Sequence, residues 1–486
     1  MAKTTKNKIV YEENINNIKG KATAVFFPDS LQDMKNLIKL GKGDIIPRGN
    51  GTSFTGAVIP QNSIIVDFSK MNRILQIDSV KKLAVVEPGV LLSDLNSELE
   101  SYGLEFPIIP VFSGLETIGG MLAKNASGNR EIKYGKMLSW TDSLQVIDWK
   151  GEQIRVAKSD LSDFIGMEGT TGLIIQAVLR LTSLKQRSMT ILKADTLQDA
   201  FIASRKLKLK QDICSIDLVN PDISHLLGMQ SKYHIFVELE SDEGTFKGEN
   251  YESHLKLKNK AYKKAASELG CVYISNIKFL IDSLQDFLTY LEEKKIPYFS
   301  HLASGVVFPL FKPGQIEIMN EVMKLAKKFK GKIAYNFGIG FTKKDTLEIG
   351  EKEIIRRVKA RNDPQWRFNR DKLVDYKPKE EKEEKPEKKE AVEEKKTEEK
   401  EEKQKEESKE IAEIKEKTLE QTFKEEIKEL ESNNHNTPAA IEIAETQTIK
   451  RPEPELTPEE REKIKKIAAG FFAGGRAQEE NKEQKT

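Results

Sequence analysis

The sequence predicts an α+β protein made of a two-lobed domain, a second α+β domain and a disordered charged tail. Three observations carry this. Residues 18–183 alternate strand and amphipathic-helix patterns punctuated by glycine-rich turns. From about Lys185 glycine becomes scarcer while helix and strand patterns continue. After Tyr376 the composition collapses to Lys and Glu with scattered Pro.

Taken in order, residues 1–17 read as a polar arm, with no apolar run after the lysine-rich Met1–Lys8 to suggest a signal peptide. Asp29 to Leu40 reads as a helix capped by Ser30, with Leu31, Met34, Leu37 and Ile38 on one face. Asp44-Ile45-Ile46 and Ser63 to Asp67 read as strands, as does Leu83 to Val86. Val90 to Tyr102 repeats the helix design with Leu92, Leu95 and Leu99. Beyond 183, Thr196 to Lys208, Tyr251 to Leu269 and Leu284 to Glu293 read as helices, and His234 to Leu239 as a strand. Glu380 to Glu410 has almost no apolar residue and cannot bury enough surface to offset chain entropy, so 377–456 is expected to be a disordered linker. Helical periodicity returns at 411–430. In the last segment, 457–486, Thr457 caps a helix with Pro458 at its first position, and Ile464, Ile467, Ala468 and Phe471 share a face. That helix reads either as an inert amphipathic end or as a docking helix on a loose tether.

Composition narrows the function. The 486 residues carry a net charge of only +2, which argues against a nucleic-acid partner. No run of about 18 apolar residues suggests a transmembrane helix. The only cysteines are Cys214 and Cys271, too few for a disulfide framework or for an internal iron–sulfur cluster with its roughly four thiolates. A cytoplasmic protein is the simplest expectation.

The chemistry lies in four small-residue loops. Pro47-Arg48-Gly49-Asn50-Gly51-Thr52-Ser53, followed by Gly56, sits between two strands, where backbone N–H groups, two hydroxyls and a guanidinium suit a pyrophosphate. Pro88-Gly89 follows a strand. Thr117-Ile118-Gly119-Gly120 leads into Asn125-Ala126-Ser127-Gly128. Glu168-Gly169-Thr170-Thr171-Gly172-Leu173-Ile174 closes the set. Any one of these is an ordinary turn when taken alone; the four together could wrap one long ligand.

In order and spacing these loops resemble the PCMH-type FAD-binding domain of the vanillyl-alcohol oxidase superfamily, in particular the FAD-linked oxidases of glycolate, D-lactate and 2-hydroxyglutarate. The resemblance is strong over 18–183 and weaker to about Tyr376. It implies a two-lobed flavin domain at 18–183 and, over 184–376, an α+β, ferredoxin-like cap whose closing segment returns to the flavin domain. It places Arg48, Gly49, Asn50, Gly51, Thr52 and Ser53 on the pyrophosphate, and Pro88 and Gly89 on the adenosine half. Thr117, Gly119 and Gly120 would open an anion-favouring helix. Asn125, Ser127 and Gly128 would line the isoalloxazine or ribityl side, and Glu168, Gly169, Gly172 and Ile174 the adenine. No histidine precedes His225, so the FAD is expected to be non-covalent.

The same resemblance locates a break. The hydroxyacid oxidases carry His-x-Gly-Asp-Gly-Asn-x-His and then Glu-His-Gly-Ile-Gly, which supply divalent-metal ligands and a base. Here the two stretches read His301 to Pro309 and Tyr335-Asn336-Phe337-Gly338-Ile339-Gly340. Phe308, Asn336 and Phe337 replace a ligand, the glutamate and the base, so no metal is expected. His301 and Tyr335 remain as candidates for proton transfer, though His301 as a lone residue reads first as a hydrogen-bonded structural histidine. Two roles are implied. One is an FAD-dependent oxidoreductase acting on a 2-hydroxy acid-like substrate without a metal. The other is a flavin-binding non-catalytic subunit of a glycolate-oxidase-type complex, docking an iron–sulfur partner through the tail.

Overall fold

The computed structural model describes residues 3–376 apart from 5–7, 15–17, 42, 112–113, 209, 272 and 334–336, together with 442–443. The helices expected at 411–430 and 457–472 lie outside the described residues, as do Tyr335 and Asn336. Within the segment read as linker, Glu442–Ile443 is a two-residue strand paired with Ser188–Ala194.

The first lobe is a four-stranded sheet. Lys21–Phe27, Gln61–Asp67 and Ile45–Arg48 run parallel, and Lys3–Thr4 pairs antiparallel at one edge. Its helix, Leu31–Leu40, starts where expected, with the Ser30 hydroxyl accepting from the Asp33 amide. Met34 and Ile38 from that helix are buried with Ile45, Val66 and Phe68. The second lobe is an antiparallel five-stranded sheet in the order Ile74–Asp78, Leu83–Val86, Leu173–Arg180, Thr141–Ile147, Gln153–Ala157. Helix Leu92–Glu100 buries Leu92, Leu95 and Leu99 in its core.

Beyond Leu184 a larger antiparallel sheet takes over. Its centre is Ser188–Ala194, Tyr233–Leu239, Ile213–Val219, Tyr298–His301 and Val306–Phe311, in that order. Both faces are covered. Ile216, Leu218, Ile235 and Val237 face helices Leu197–Lys208, Ile281–Glu293 and Ile316–Lys328 through Phe201, Phe287 and Val322. Phe236, Val219 and Phe308 pack with Tyr251, Tyr262 and Ala265 on the opposite side. The helix read across Tyr251 to Leu269 is in fact two, Gly248–Asn259 and Ala261–Leu269, joined at Lys260. The amphipathic pattern continues across the joint, so hydrophobic spacing alone did not reveal it.

Helix Ile349–Asn362 then delivers the closing segment to the first lobe. Phe368 is buried beside Ile45 and Met34. The Asn369 amide donates to the Ile45 carbonyl at 2.7 Å. Lys372, only 1% exposed, donates to the carbonyls of Gly56 and Ile59 at 3.2 and 2.6 Å. Burial pulls its ammonium pKa down to about 8.

Candidate functional site

Two cavities account for most of the polar residues singled out by sequence. The first is lined by Arg48, Gly49, Asn50, Gly51, Thr52 and Ser53, by Pro88, Thr117, Gly119 and Gly120, and by Glu168, Gly169, Gly172 and Ile174. Thus fourteen of the eighteen residues assigned to a cofactor share one cavity. The other four do not line it. Gly89 packs where an added Cβ would lie 2.1 Å from the Phe68 carbonyl, and Gly128 where it would lie 1.8 Å from that of Ile109. Asn125 accepts from the Leu138 amide, and Ser127 donates to Glu131 at 2.6 Å. Their small or turn-forming character serves the packing of the loops.

Glycine also lets the lining loops reach one another. A Cβ on Gly49 would stand 2.2 Å from the Thr117 hydroxyl, and one on Gly169, whose φ is +71°, would stand 2.4 Å from Pro47. Thr117 caps the short helix Ile118–Ala123 by accepting from the Gly120 amide. Asn50 reaches the Leu115 carbonyl at 3.0 Å. The guanidinium of Arg48 pairs with Asp67 at 3.1 Å and lies over the Tyr11 ring, so its charge is held in place by its own lobe.

Glu168 has a role its sequence context did not disclose. Its backbone is left-handed (φ +48°), and its carboxylate accepts the amides of Ile339 and Gly340 at 2.5 and 2.9 Å. Burial raises its pKa, while those two amides, Lys124 and Lys372 oppose the rise. Asn369 in turn donates to the Glu168 carbonyl at 2.7 Å. One residue of the first domain therefore fixes the loop that follows the replaced base. Sequence reasoning also missed Glu116 and Lys124, which pair at 2.7 Å, and Phe54; these, Asn369 and the base-replacing Phe337 are all on the wall of this cavity. Two buried acceptors there, Glu116 Oε2 and Asn369 Oδ1, have no hydrogen-bond partner among the described residues. A buried acceptor left unsatisfied costs free energy, so both mark where ligand donors belong. Hydroxyl and N–H groups abound on FAD, and the backbone-rich loops leave room for a pyrophosphate, so these residues fit that cofactor.

The second cavity lies under the cap helices. Its polar wall comes from strand register. Ser215 stands opposite Glu238, and Asp217 opposite His301, in adjacent antiparallel strands. His301 Nδ1 lies 2.6 Å from Asp217, whose other oxygen receives Lys258. Burial opposes the charge on Asp217, yet Lys258 and His301 hold its carboxyl down at about 2. Asn129 donates to Ser215 and Glu238 at 3.1 and 3.2 Å. Arg130 pairs with Glu238 at 2.7 Å, and Tyr251 donates to the same carboxylate at 2.5 Å. Despite the cost of burying Glu238, Arg130 holds its pKa well below the usual carboxylate range. His301 is therefore hydrogen-bonded, as one of its two readings had it, through Nδ1; its Nε2 is buried without a partner among the described residues.

Aromatic rings stand between the cavities. Phe54 and Phe337, on the first wall, have centroids 5.4 Å apart. Phe337 lies 5.7 Å from Phe308, which lies 4.9 Å from the His301 ring. Phe54 also meets Tyr262, on the second wall, edge-on at 6.5 Å. At the two replaced positions the described side chains are packed hydrocarbon, with no lone pair for a metal or a proton.

Comparison with known proteins agrees with the first cavity. Residues 22–157 match the FAD binding domain family. The chain is 24% identical over 423 residues to a D-2-hydroxyglutarate dehydrogenase of Stutzerimonas stutzeri, covering 72% of this chain and 90% of that protein. It is 32% identical over 182 residues to the glycolate oxidase subunit GlcD of Bacillus subtilis, but covers only 39% of it. Over 190 residues it is 32% identical to a D-lactate dehydrogenase of Archaeoglobus fulgidus, covering 36% of this chain and 42% of that protein. A solved alkyldihydroxyacetonephosphate synthase superposes with a TM-score of 0.54 over 73% of this chain and 77% of that one, at 16% identity, and so shares the fold.

Proposed function

We propose that this chain, whose residues 22–157 match the FAD binding domain family, is an FAD-dependent oxidoreductase of the PCMH type that oxidises a 2-hydroxy acid-like alcohol without a metal ion. The observation that carries the cofactor assignment is the convergence of the loops at 48–53, 117–120 and 168–174 on one cavity that also holds two orphaned buried acceptors. In this reading Arg48 and the amides of 49–53 hold the pyrophosphate, and Glu116 and Asn369 accept from the cofactor's hydroxyl or N–H groups. Bound FAD supplies a two-electron acceptor. Glu168 keeps the 337–340 loop in place, and the phenyl rings of Phe54 and Phe337 exclude water from the side of the cavity facing the cap. The cofactor is held without a covalent bond through histidine.

Among the described residues no helix is long and apolar enough to cross a membrane. Cys214 and Cys271 are buried free thiols, in keeping with the cytoplasm as the compartment. A second reading, a flavin-binding subunit that partners an iron–sulfur protein, is favoured by the match to a glycolate oxidase subunit and by Phe308 and Phe337 at the replaced positions.

The test is a purification of the full chain. FAD should accompany it and be released by denaturation. D-lactate, glycolate and D-2-hydroxyglutarate should bleach it slowly, and chelators should leave that rate unchanged. A colourless protein that takes up no added FAD would refute the assignment; fast bleaching abolished by chelator would refute the metal-free route.

A further inference from the structure

We propose that the second cavity is a binding chamber for an alcohol carried on a sizeable apolar body, with the hydroxyl received by His301 and the body lying against the cap helices. This deepens the proposed function and rests on it only for the claim that the bound molecule is a substrate.

The argument begins with the histidine. Asp217 is ionised and can only accept, so the proton between the two side chains sits on His301 Nδ1. The other ring nitrogen, Nε2, is buried with no partner among the described residues to meet it. The side chain is 9% exposed and lines the cavity. An orphaned ring nitrogen on a cavity wall calls for a hydrogen bond from the ligand, and a hydroxyl can donate to it or accept from it.

Charge and shape narrow the class. The buried cations on this wall are already answered: Lys258 pairs with Asp217, and Arg130 with Glu238, while the third cation, Lys263, is exposed. The remaining wall is largely hydrocarbon, supplied by Val111, Val219, Leu255, Ala261, Tyr262 and Ala266. A two-carbon hydroxy acid would leave that wall uncovered and would bring a charge that no spare buried cation meets. An apolar body of several carbons gains about 0.8 kcal/mol for each CH₂ buried. A carboxylate beside the hydroxyl could be met by sharing Lys258 or Arg130 or by the exposed Lys263, and the experiment separates that case.

The FAD-loaded full chain is titrated calorimetrically with 2-octanol, 2-hydroxyoctanoate and glycolate. At least one eight-carbon probe should bind about tenfold or more tightly than glycolate. Equal binding of the two long probes would identify the alcohol as the recognised group, and preference for 2-hydroxyoctanoate would show the carboxylate sharing a cation. Ala266→Trp, on the chamber wall, should abolish long-probe binding while FAD content stays at the wild-type level. His301→Asn keeps a donor toward Asp217 but lacks Nε2, and should weaken binding roughly three- to tenfold, the worth of one hydrogen bond. The inference is overturned if glycolate binds as tightly as the long probes, if no probe binds, or if Ala266→Trp binds them unchanged. A wild-type protein that cannot be loaded with FAD would instead overturn the proposed function.

Discussion

The two cavities are made polar in opposite ways. The first draws on backbone: its loops approach each other through glycines at 49, 119 and 169, and its charged side chains are held separately, Arg48 by Asp67, Glu116 by Lys124 and Glu168 by two backbone amides. The second draws on side chains. Asn129, Arg130, Asp217, Glu238, Lys258 and His301 form a buried network with alternating charge. A backbone-built site tolerates change in its side chains but no added Cβ. A side-chain-built site depends on every partner, because removing one leaves a buried charge alone.

The largest test of that contrast is Glu238→Leu. It strands Arg130, which is buried on the same wall, and should lower unfolding free energy by about 3–5 kcal/mol in a denaturant titration. A loss below about 1 kcal/mol would mean the network is not held together by charge. Next comes acid. Burial depresses the His234 pKa from 6.5 to about 4. The unfolded chain therefore takes up that proton first, so stability is full above pH 6.5 and falls by about 3 kcal/mol as pH drops to 4. His234→Gln should flatten that part of the pH–stability curve, and an unchanged slope would place the titration elsewhere.

On the backbone side, Gly49→Val sets a branched side chain against the Thr117 hydroxyl. It should weaken FAD retention by about 2 kcal/mol, roughly thirtyfold, as read by equilibrium dialysis. Global stability should change less than for Glu238→Leu; equal losses in both readouts would erase the distinction between the cavities. The smallest effect is expected for Thr117→Val, which removes a helix cap for about 1 kcal/mol.

The same contrast explains what the sequence disclosed. Loops at 47–53 and 168–174 leave a local signature because a close backbone approach demands glycine at fixed offsets. The cap's chemistry leaves none. Asp217 and His301 are brought together by strand register across 84 positions, and Arg130 reaches Glu238 across 108. The one available signal was an acidic residue within each apolar strand, Asp217 in Ile213–Val219 and Glu238 in Tyr233–Leu239. The break at Lys260 and the structural roles of Asn125, Ser127, Gly89 and Gly128 were hidden for a related reason: periodicity and small-residue content do not say what a turn packs against. Glu168 was marked as a cofactor contact from its loop; its grip on the 339–340 amides depends on a segment 171 residues away.

The closing segment has a consequence for how the protein is made. Lys359 donates to the Thr170 carbonyl, Asn369 to that of Glu168, and Lys372 to those of Gly56 and Ile59. Synthesis runs from the N-terminus, so the loops at 56–59 and 168–170 are complete long before the groups that fasten them exist. During translation the flavin lobes must wait with their carbonyls open to water, and the cap folds in the interval. A nascent chain stalled just after Asn362 should therefore fold its cap yet hold FAD poorly, and one stalled within the tail should hold it well.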